Sequence, residues 1–212
     1  MFDDKLDATS FTFSKRVYED EFRQLMLNIY SCYEYLISCS VKVPSNNENA
    51  IRDILLEYLK DTKIRQDYCL IEGFRFDKEV DEGIGRVDIK IISINDFEDH
   101  DAYYIIECKR LDGYAKLNEA YVDDGIKRFT TSYKSLGDDP YYSSYYGING
   151  MIGFIVANID IDDNIKKIES YCSIKFETIE KDKLYFTIHS SLCLLHLMMD
   201  FSKNIKYKGK VR

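Results

Sequence analysis

Apolar residues recur at spacings of three and four over residues 16–40, at Phe22, Leu25, Met26, Ile29, Tyr33 and Leu36, and this period predicts an amphipathic helix. Val41-Lys42-Val43-Pro44-Ser45 ends it. Ser45-Asn46-Asn47-Glu48 then supplies capping residues and an early carboxylate, and Ile51, Leu55, Leu56 and Leu59 form one apolar face, predicting a second helix over 46–60. Tyr68-Cys69-Leu70-Ile71 through Arg75-Phe76 reads as a strand. A turn rich in Gly and acids (Asp81, Glu82, Gly83, Gly85) leads to its hairpin partner, Arg86-Val87-Asp88-Ile89-Lys90-Ile91-Ile92. Ala102-Tyr103-Tyr104-Ile105-Ile106-Glu107-Cys108-Lys109 is the most strand-like run of that region, and a helical stretch over 115–135 follows it. Met151-Ile152-Gly153-Phe154-Ile155-Val156-Ala157 reads as a strand, 162–172 as a helix, 184–189 as a strand and Leu192 to Met199 as a further strand.

The order helix, strand, strand, strand, helix, strand predicts an α/β fold, a central mixed sheet flanked by helices, antiparallel first and parallel afterwards. With 212 residues, 45% of them hydrophobic and 31% charged, the chain suits one core domain over 46–212 with an N-terminal helical extension over 1–45 packed on it. There is no run of about 18 apolar residues to cross a bilayer and no leader pattern at Met1-Phe2-Asp3-Asp4-Lys5, so no membrane partner and a cytoplasmic location are expected. Cysteines 32, 39, 69, 108, 172 and 193 lack the CxxC spacing of a zinc site and read as reduced, mostly buried thiols. His100, His189 and His196 show no ligand spacing and read as structural.

Side chains alternate across a strand, so Glu107 and Lys109 project from one face and Cys108 from the other. If the preceding strand pairs with this one, Asp88 lies beside Glu107, and two carboxylates at close range make a hard-oxygen site suited to Mg2+. The Cys108 backbone carbonyl can add a ligand, and Glu48, at the start of its helix, can hold the ion through water. Such an ion serves phosphodiester hydrolysis, with Lys109 orienting or deprotonating the attacking water and stabilising the added negative charge. An acid two residues before Lys also occurs at Asp3-Asp4-Lys5, Asp61-Thr62-Lys63 and Asp88-Ile89-Lys90, so the spacing is common in this chain. Context separates the Glu107 copy, because Ile105-Ile106 place it in a strand suited to a sheet centre, where charge is costly. Two alternatives stay open: a solvated strand face on which Glu107 and Lys109 simply pair, and a register in which Asp88-Ile89-Lys90 is the motif with Asp77 as partner acid.

Glu48-Asn49-Ala50-Ile51, Gly85-Arg86-Val87-Asp88-Ile89 and Ile106-Glu107-Cys108-Lys109-Arg110 together resemble the PD-(D/E)XK nuclease superfamily over residues 46–157, with Val87 where the family name has Pro. The resemblance implies a restriction-endonuclease-like core, an active site of Glu48, Asp88, Glu107 and Lys109, and Mg2+ as cofactor, with Mn2+ able to substitute. It also suggests a bacterial restriction or anti-phage setting. On the following helix Tyr121, Gly125, Arg128 and Ser132 fall on one stripe, and the mid-helix Gly implies close packing or close approach of substrate. Arg86, Arg110, Tyr121 and Arg128 are the candidates for holding substrate, although Arg128 is equally placed to pair with Asp124 on the surface.

The expected partner is nucleic acid, DNA in the first instance. A net charge of −8 opposes tight independent binding of a polyanion, so a local basic patch, a protein partner or a homo-oligomer would have to supply grip. Lys203, Lys206, Lys208, Lys210 and Arg212 form one basic cluster that reads as a solvated tail or a nucleic-acid contact. The tyrosine-dense loop over 137–147 can stack on bases or pack its own rings. Gly147, Gly150 and Gly153 lack the context of a phosphate-binding loop. A Mg2+-dependent DNA endonuclease is thus the leading expectation, beside an RNA-cutting enzyme with the same site and a noncatalytic binding or assembly subunit that keeps the fold.

Overall fold

The two leading amphipathic periods fold as helices, α1 over Ala8–Ser38 and α2 over Glu48–Lys60. The structure is a computed structural model and describes residues 8–82, 85–94, 102–133, 139–142, 145–190 and 192–206. Gly83, His100, Gly137, Asp138, Ser143, Ser144, Lys208, Lys210 and Arg212 of the sequence reading lie outside the described residues. Asn47 caps α2 by accepting the Ala50 N–H, and Asp61 ends that helix and caps the next short turn, α3 (Thr62–Ile64), through the Ile64 N–H.

The strand expected over 68–76 forms only at its end, from Phe74 on. Arg65–Cys69 is a π turn, Leu70 turns left-handed at φ 51°, and the first strand, β1, covers Phe74–Glu82. The physical reason is tertiary. The Arg65 guanidinium donates to the carbonyls of Ile71 and Phe74, Tyr68 stacks on Tyr35 of α1, and Cys69 is buried in the helix layer, so this apolar run closes the connection instead of joining the sheet.

The remaining strands are β2 (Gly85–Ser93), β3 (Tyr104–Leu111), the short β4 (Ser132–Tyr133) and β5 (Asp139–Pro140), β6 (Ile148–Ile155), β7 (Glu177–Glu180), β8 (Leu184–Ile188) and β9 (Cys193–Asp200). Seven of them form a mixed sheet in the order β1-β2-β3-β6-β9-β8-β7, while β4 and β5 pair separately. β1, β2 and β3 are antiparallel neighbours, β3-β6 and β6-β9 are parallel, and β8 and β7 close the far edge antiparallel. Pairing therefore returns to antiparallel after the parallel centre. The strand β7 has no counterpart in the sequence reading, because four partly or fully exposed residues, Glu177-Thr178-Ile179-Glu180, carry no buried period.

Helices cover both faces. On one, α1 and α2 bury Phe22, Leu25, Met26, Ile29, Ile51, Leu55 and Leu59 against Ile89, Ile91, Ile106, Cys108, Ile152 and Leu197. On the other, the helical rod made of α4 (Ala115–Tyr121), a π turn (Val122–Ile126) and α5 (Lys127–Thr130), together with α6 (Ile161–Cys172), covers Ile105, Leu111, Met151, Ile155 and Leu194. Helix α1 belongs to the same core cluster as the sheet, Val43 bridges Ile205, and the Tyr33 hydroxyl donates to the Asp200 carbonyl. No helix among the described residues is long and apolar enough to cross a membrane.

Candidate active site

Residues two apart in a regular strand share a face, yet Val87 packs in the α4–α6 layer while Ile89 and Ile91 pack in the α1–α2 layer. The strand turns over at Asp88. There β2 also leaves β3, since their ladder runs from Ile91↔Tyr104 to Ile89↔Ile106 and goes no further. On the other side, the β1–β2 ladder passes from Lys78↔Ile89 to Val80↔Val87, with Glu79 between them at φ 51°. The Asp88 side chain fills the fork: Oδ2 accepts the Cys108 N–H at 2.8 Å and Oδ1 accepts Arg52 Nη1 at 3.0 Å. Asp88 is thus brought to the motif strand through the Cys108 amide and not as a ladder partner of Glu107.

Glu107 and Lys109 share the face covered by the α4–α5 rod, as alternation requires, and both are buried. The Lys109 ammonium lies 2.5 Å from Glu107 Oε1, 3.0 Å from the Cys108 carbonyl and 3.7 Å from Glu48 Oε1. Glu48, at the first position of α2, reaches over the end of β3, where its Oε2 accepts the Arg110 N–H at 3.2 Å. Glu48, Asp88, Glu107 and Lys109 therefore meet around the middle of β3. Glu107, in a parallel-paired central strand, is not on a solvated face.

Two residues absent from the sequence reading complete the site. Arg52, one turn beyond Glu48 and 1% exposed, binds Asp88, Asp53 and Glu79 at 2.9–3.0 Å. Its spacing of four from Glu48 was the available signal. Tyr142, also buried, has its hydroxyl 3.0 Å from Glu107 Oε2 and 2.9 Å from the Arg86 carbonyl, its one proton shared between these acceptors, and it accepts from Arg128 Nη1 (2.8 Å). The tyrosine-dense loop thus sends one member into the site, and nothing in its local pattern distinguishes that member.

The substrate candidates divide. Arg128 reaches the site, its Nη1 also donating to Glu107 Oε1 at 2.8 Å, so its partner is Glu107 rather than Asp124. Tyr121 does not: it is wholly buried, and its hydroxyl meets His196 Nδ1 at 3.0 Å in the core. A π turn between the two breaks the stripe that regular α-helical spacing would have made. Gly125 answers to packing, since a Cβ there would stand 2.5 Å from Met151 Cε. Ser132 lies beyond the helix, in β4. The Arg110 guanidinium donates to the Asn46 carbonyl and side chain, tying β3 to the start of α2, and the exposed Arg86 side chain lies 3.6 Å from Glu79 while its carbonyl takes the Tyr142 hydroxyl.

Electrostatics follow from burial. Desolvation pushes the Glu107 carboxyl up to about 7, Asp88 adding to the rise and Lys109 and Arg128 opposing it. Glu48 is raised for the same first reason, its burial. Burial would lower Lys109, but Glu107, Glu48 and Asp88 outweigh it and hold the group as an ammonium. Burial and the nearby Glu107 raise Tyr142, keeping it a phenol that can donate.

Among the described residues no group of three or more His, Cys, Asp or Glu side chains is arranged to hold a metal ion. The carboxylates point instead at the protein's own cations. Yet Glu107 Oε1, the Cys108 carbonyl and Glu48 Oε1 do gather around one positive centre, the Lys109 ammonium. These are hard oxygen donors of the kind Mg2+ takes, and Asp88 stands on the adjacent amide. The donor chemistry fits a divalent cation, although here the Lys109 ammonium holds these oxygens. No protein-family model, curated protein or solved structure matches this chain.

Proposed function

We propose that this α/β protein is a metal-dependent nuclease that hydrolyses phosphodiester bonds of DNA on a restriction-endonuclease-like core, with Mg2+ as cofactor and Mn2+ as a substitute. The observation that carries the reading is the meeting of Glu48, Asp88, Glu107 and Lys109, from one helix and two strands, where β2 parts from β3. Burying an acid and an ammonium in a central strand costs stability that a merely structural strand would avoid. The β1–β2–β3 meander followed by a helical crossover to the parallel β6 supports the core type.

When bound, Mg2+ supplies Lewis-acid polarisation of a phosphoryl oxygen and neutralises charge on the leaving oxygen. Glu107, Asp88, the Cys108 carbonyl and, through water, Glu48 would hold it. The raised pKa of Lys109 makes it a donor that orients water and meets the negative charge added in the transition state, rather than the group that removes the proton. Arg128 adds a guanidinium whose fork matches a phosphate.

The test is cleavage of plasmid and linear DNA, and of RNA, with Mg2+ or Mn2+. Native protein should cut DNA, and Glu107→Ala and Lys109→Ala should each lower the rate by about 100-fold or more while keeping the native circular dichroism. Equal cutting by the variants would overturn the residue assignment, and cutting of RNA alone would change the substrate. No cutting of either would leave the second reading, a noncatalytic binding or assembly subunit. That reading is favoured by the engagement of both Glu107 oxygens with the protein's own donors and by the net charge of −8.

A further inference from the structure

Three cations touch the site carboxylates, and they differ in access to solvent. The Arg52 side chain is 2% exposed and the Lys109 side chain 10%, whereas that of Arg128 is 30% exposed. Every hydrogen bond found for the Arg128 side chain among the described residues uses one nitrogen, Nη1, which serves Glu107 Oε1 and the Tyr142 hydroxyl together. Its guanidinium lies 5.5 and 5.8 Å from the ring centroids of Tyr141 and Tyr142, which flank it without tying down its polar edges. Glu107 is the converse case, with Lys109 and Arg128 on one oxygen and Tyr142 on the other.

We propose that Arg128 is an internal counter-ion of Glu107 that a substrate phosphate takes over, so that a phosphodiester and a divalent cation strengthen each other's binding. This rests on the nuclease reading of the site. A guanidinium pairs with a phosphate through two parallel N–H bonds, which its single-nitrogen contact with Glu107 does not use. Once Arg128 turns to the phosphate, Glu107 loses one of its two positive partners and keeps Lys109 and the Tyr142 hydroxyl. Its carboxylate then becomes the better ligand for a cation. Reciprocity requires that the bound cation, by competing for Glu107, release Arg128 toward the phosphate by the same factor. Without substrate the site stays neutralised from within, which suits a chain whose overall charge repels cation-free DNA.

The experiment measures Mn2+ affinity from the electron paramagnetic resonance signal of the free ion, with and without a short duplex of phosphorothioate DNA. In the native protein the duplex should tighten Mn2+ binding about fivefold or more, the lower end of ordinary coupling. Arg128→Met should bind Mn2+ more tightly than native protein in the absence of duplex and lose most of the duplex effect. Tyr142→Phe, which keeps the direct Arg128–Glu107 pair but removes the hydroxyl that touches both, should shift both quantities the same way by a smaller factor. Lys127→Met, which removes a neighbouring exposed charge paired with Asp123, should change the affinity less than about twofold and keep the duplex effect. If Arg128→Met and Tyr142→Phe bind Mn2+ as native protein does with the same duplex effect, or if Lys127→Met reproduces the Arg128→Met result, the inference is overturned while the nuclease site stands. If Glu107→Gln binds Mn2+ as tightly as native protein, the cation is not on Glu107 and both fall.

Discussion

Arg52 illustrates how a single residue can organise a site it does not visibly belong to. It is among the largest fully buried side chains, and its guanidinium joins carboxylates from three elements: Asp53 beside it on α2, Glu79 of β1 and Asp88 of β2. Burial opposes its charge, but Asp53, Glu79 and Asp88 more than compensate, raising its pKa. Removing one member of a buried pair typically costs about 3–5 kcal/mol because the other charge is stranded. Here Asp53 and Glu79 reach solvent, so Arg52→Ala should cost less, about 2–3 kcal/mol by urea unfolding. Arg52→Lys should recover under half of that, since a point charge cannot span three acceptors. A loss below about 0.5 kcal/mol in Arg52→Ala would show that Asp88 does not depend on it. Beyond the spacing of Arg52 from Glu48, none of this could be read locally. Glu48, Asp88, Glu107 and Lys109 stood out because each interrupts or opens an apolar pattern, whereas the contact of Arg52 with Asp88 spans 36 positions and the contact of Tyr142 with Glu107 spans 35.

At the level of elements, two distortions place the chemistry. The turnover of β2 at Asp88 aims its carboxylate at β3, and the π turn before α5 lets Tyr121 enter the core while Arg128 reaches Glu107. Regular strand and helix periods predict neither, which is why the residues on the Tyr121 stripe part company. The segment over 139–142 is the third device. It seats Tyr141 against Gly85 so closely that a Cβ on that glycine would stand 2.1–2.4 Å from the ring. The ring is rigid, so Gly85→Ala must displace it, and with it the neighbouring Tyr142. Overpacking of this kind costs about 1–3 kcal/mol, and the expected result is a lower urea midpoint. An unchanged midpoint would mean that the segment does not lean on β2.

For the whole molecule, α1 carries a large share of the buried apolar contacts. Phe22, Leu25, Met26, Ile29, Cys32, Tyr33 and Leu36 are all buried, most of them against the sheet and α2. At about 1.5–3 kcal/mol per large apolar side chain, their burial sums to the order of the entire stability of a domain. A chain lacking residues 1–40 should therefore fail to give a folded monomer by size-exclusion chromatography and circular dichroism. A cooperative, native-like unfolding transition in that truncation would show instead that α1 is an accessory layer. The net −8 of the molecule coexists with a candidate site whose carboxylates are met by Arg52, Lys109 and Arg128.

Periodicity and chain order were enough for the α/β class, for most helices and strands and for the four polar positions at the centre of the candidate site, because hydrophobic spacing and charge within an apolar strand are local signals. The strand expected over 68–76 begins only at Phe74, because Arg65 takes the carbonyls of Ile71 and Phe74 and Tyr68 stacks on the distant Tyr35 of α1. The same distinction governs the site. Alternation alone puts Glu107 and Lys109 on one face, but the separation of β2 from β3, the internal counter-ions Arg52 and Arg128 and the Tyr142 hydroxyl arise only when packing forces buried charges from distant segments to find partners.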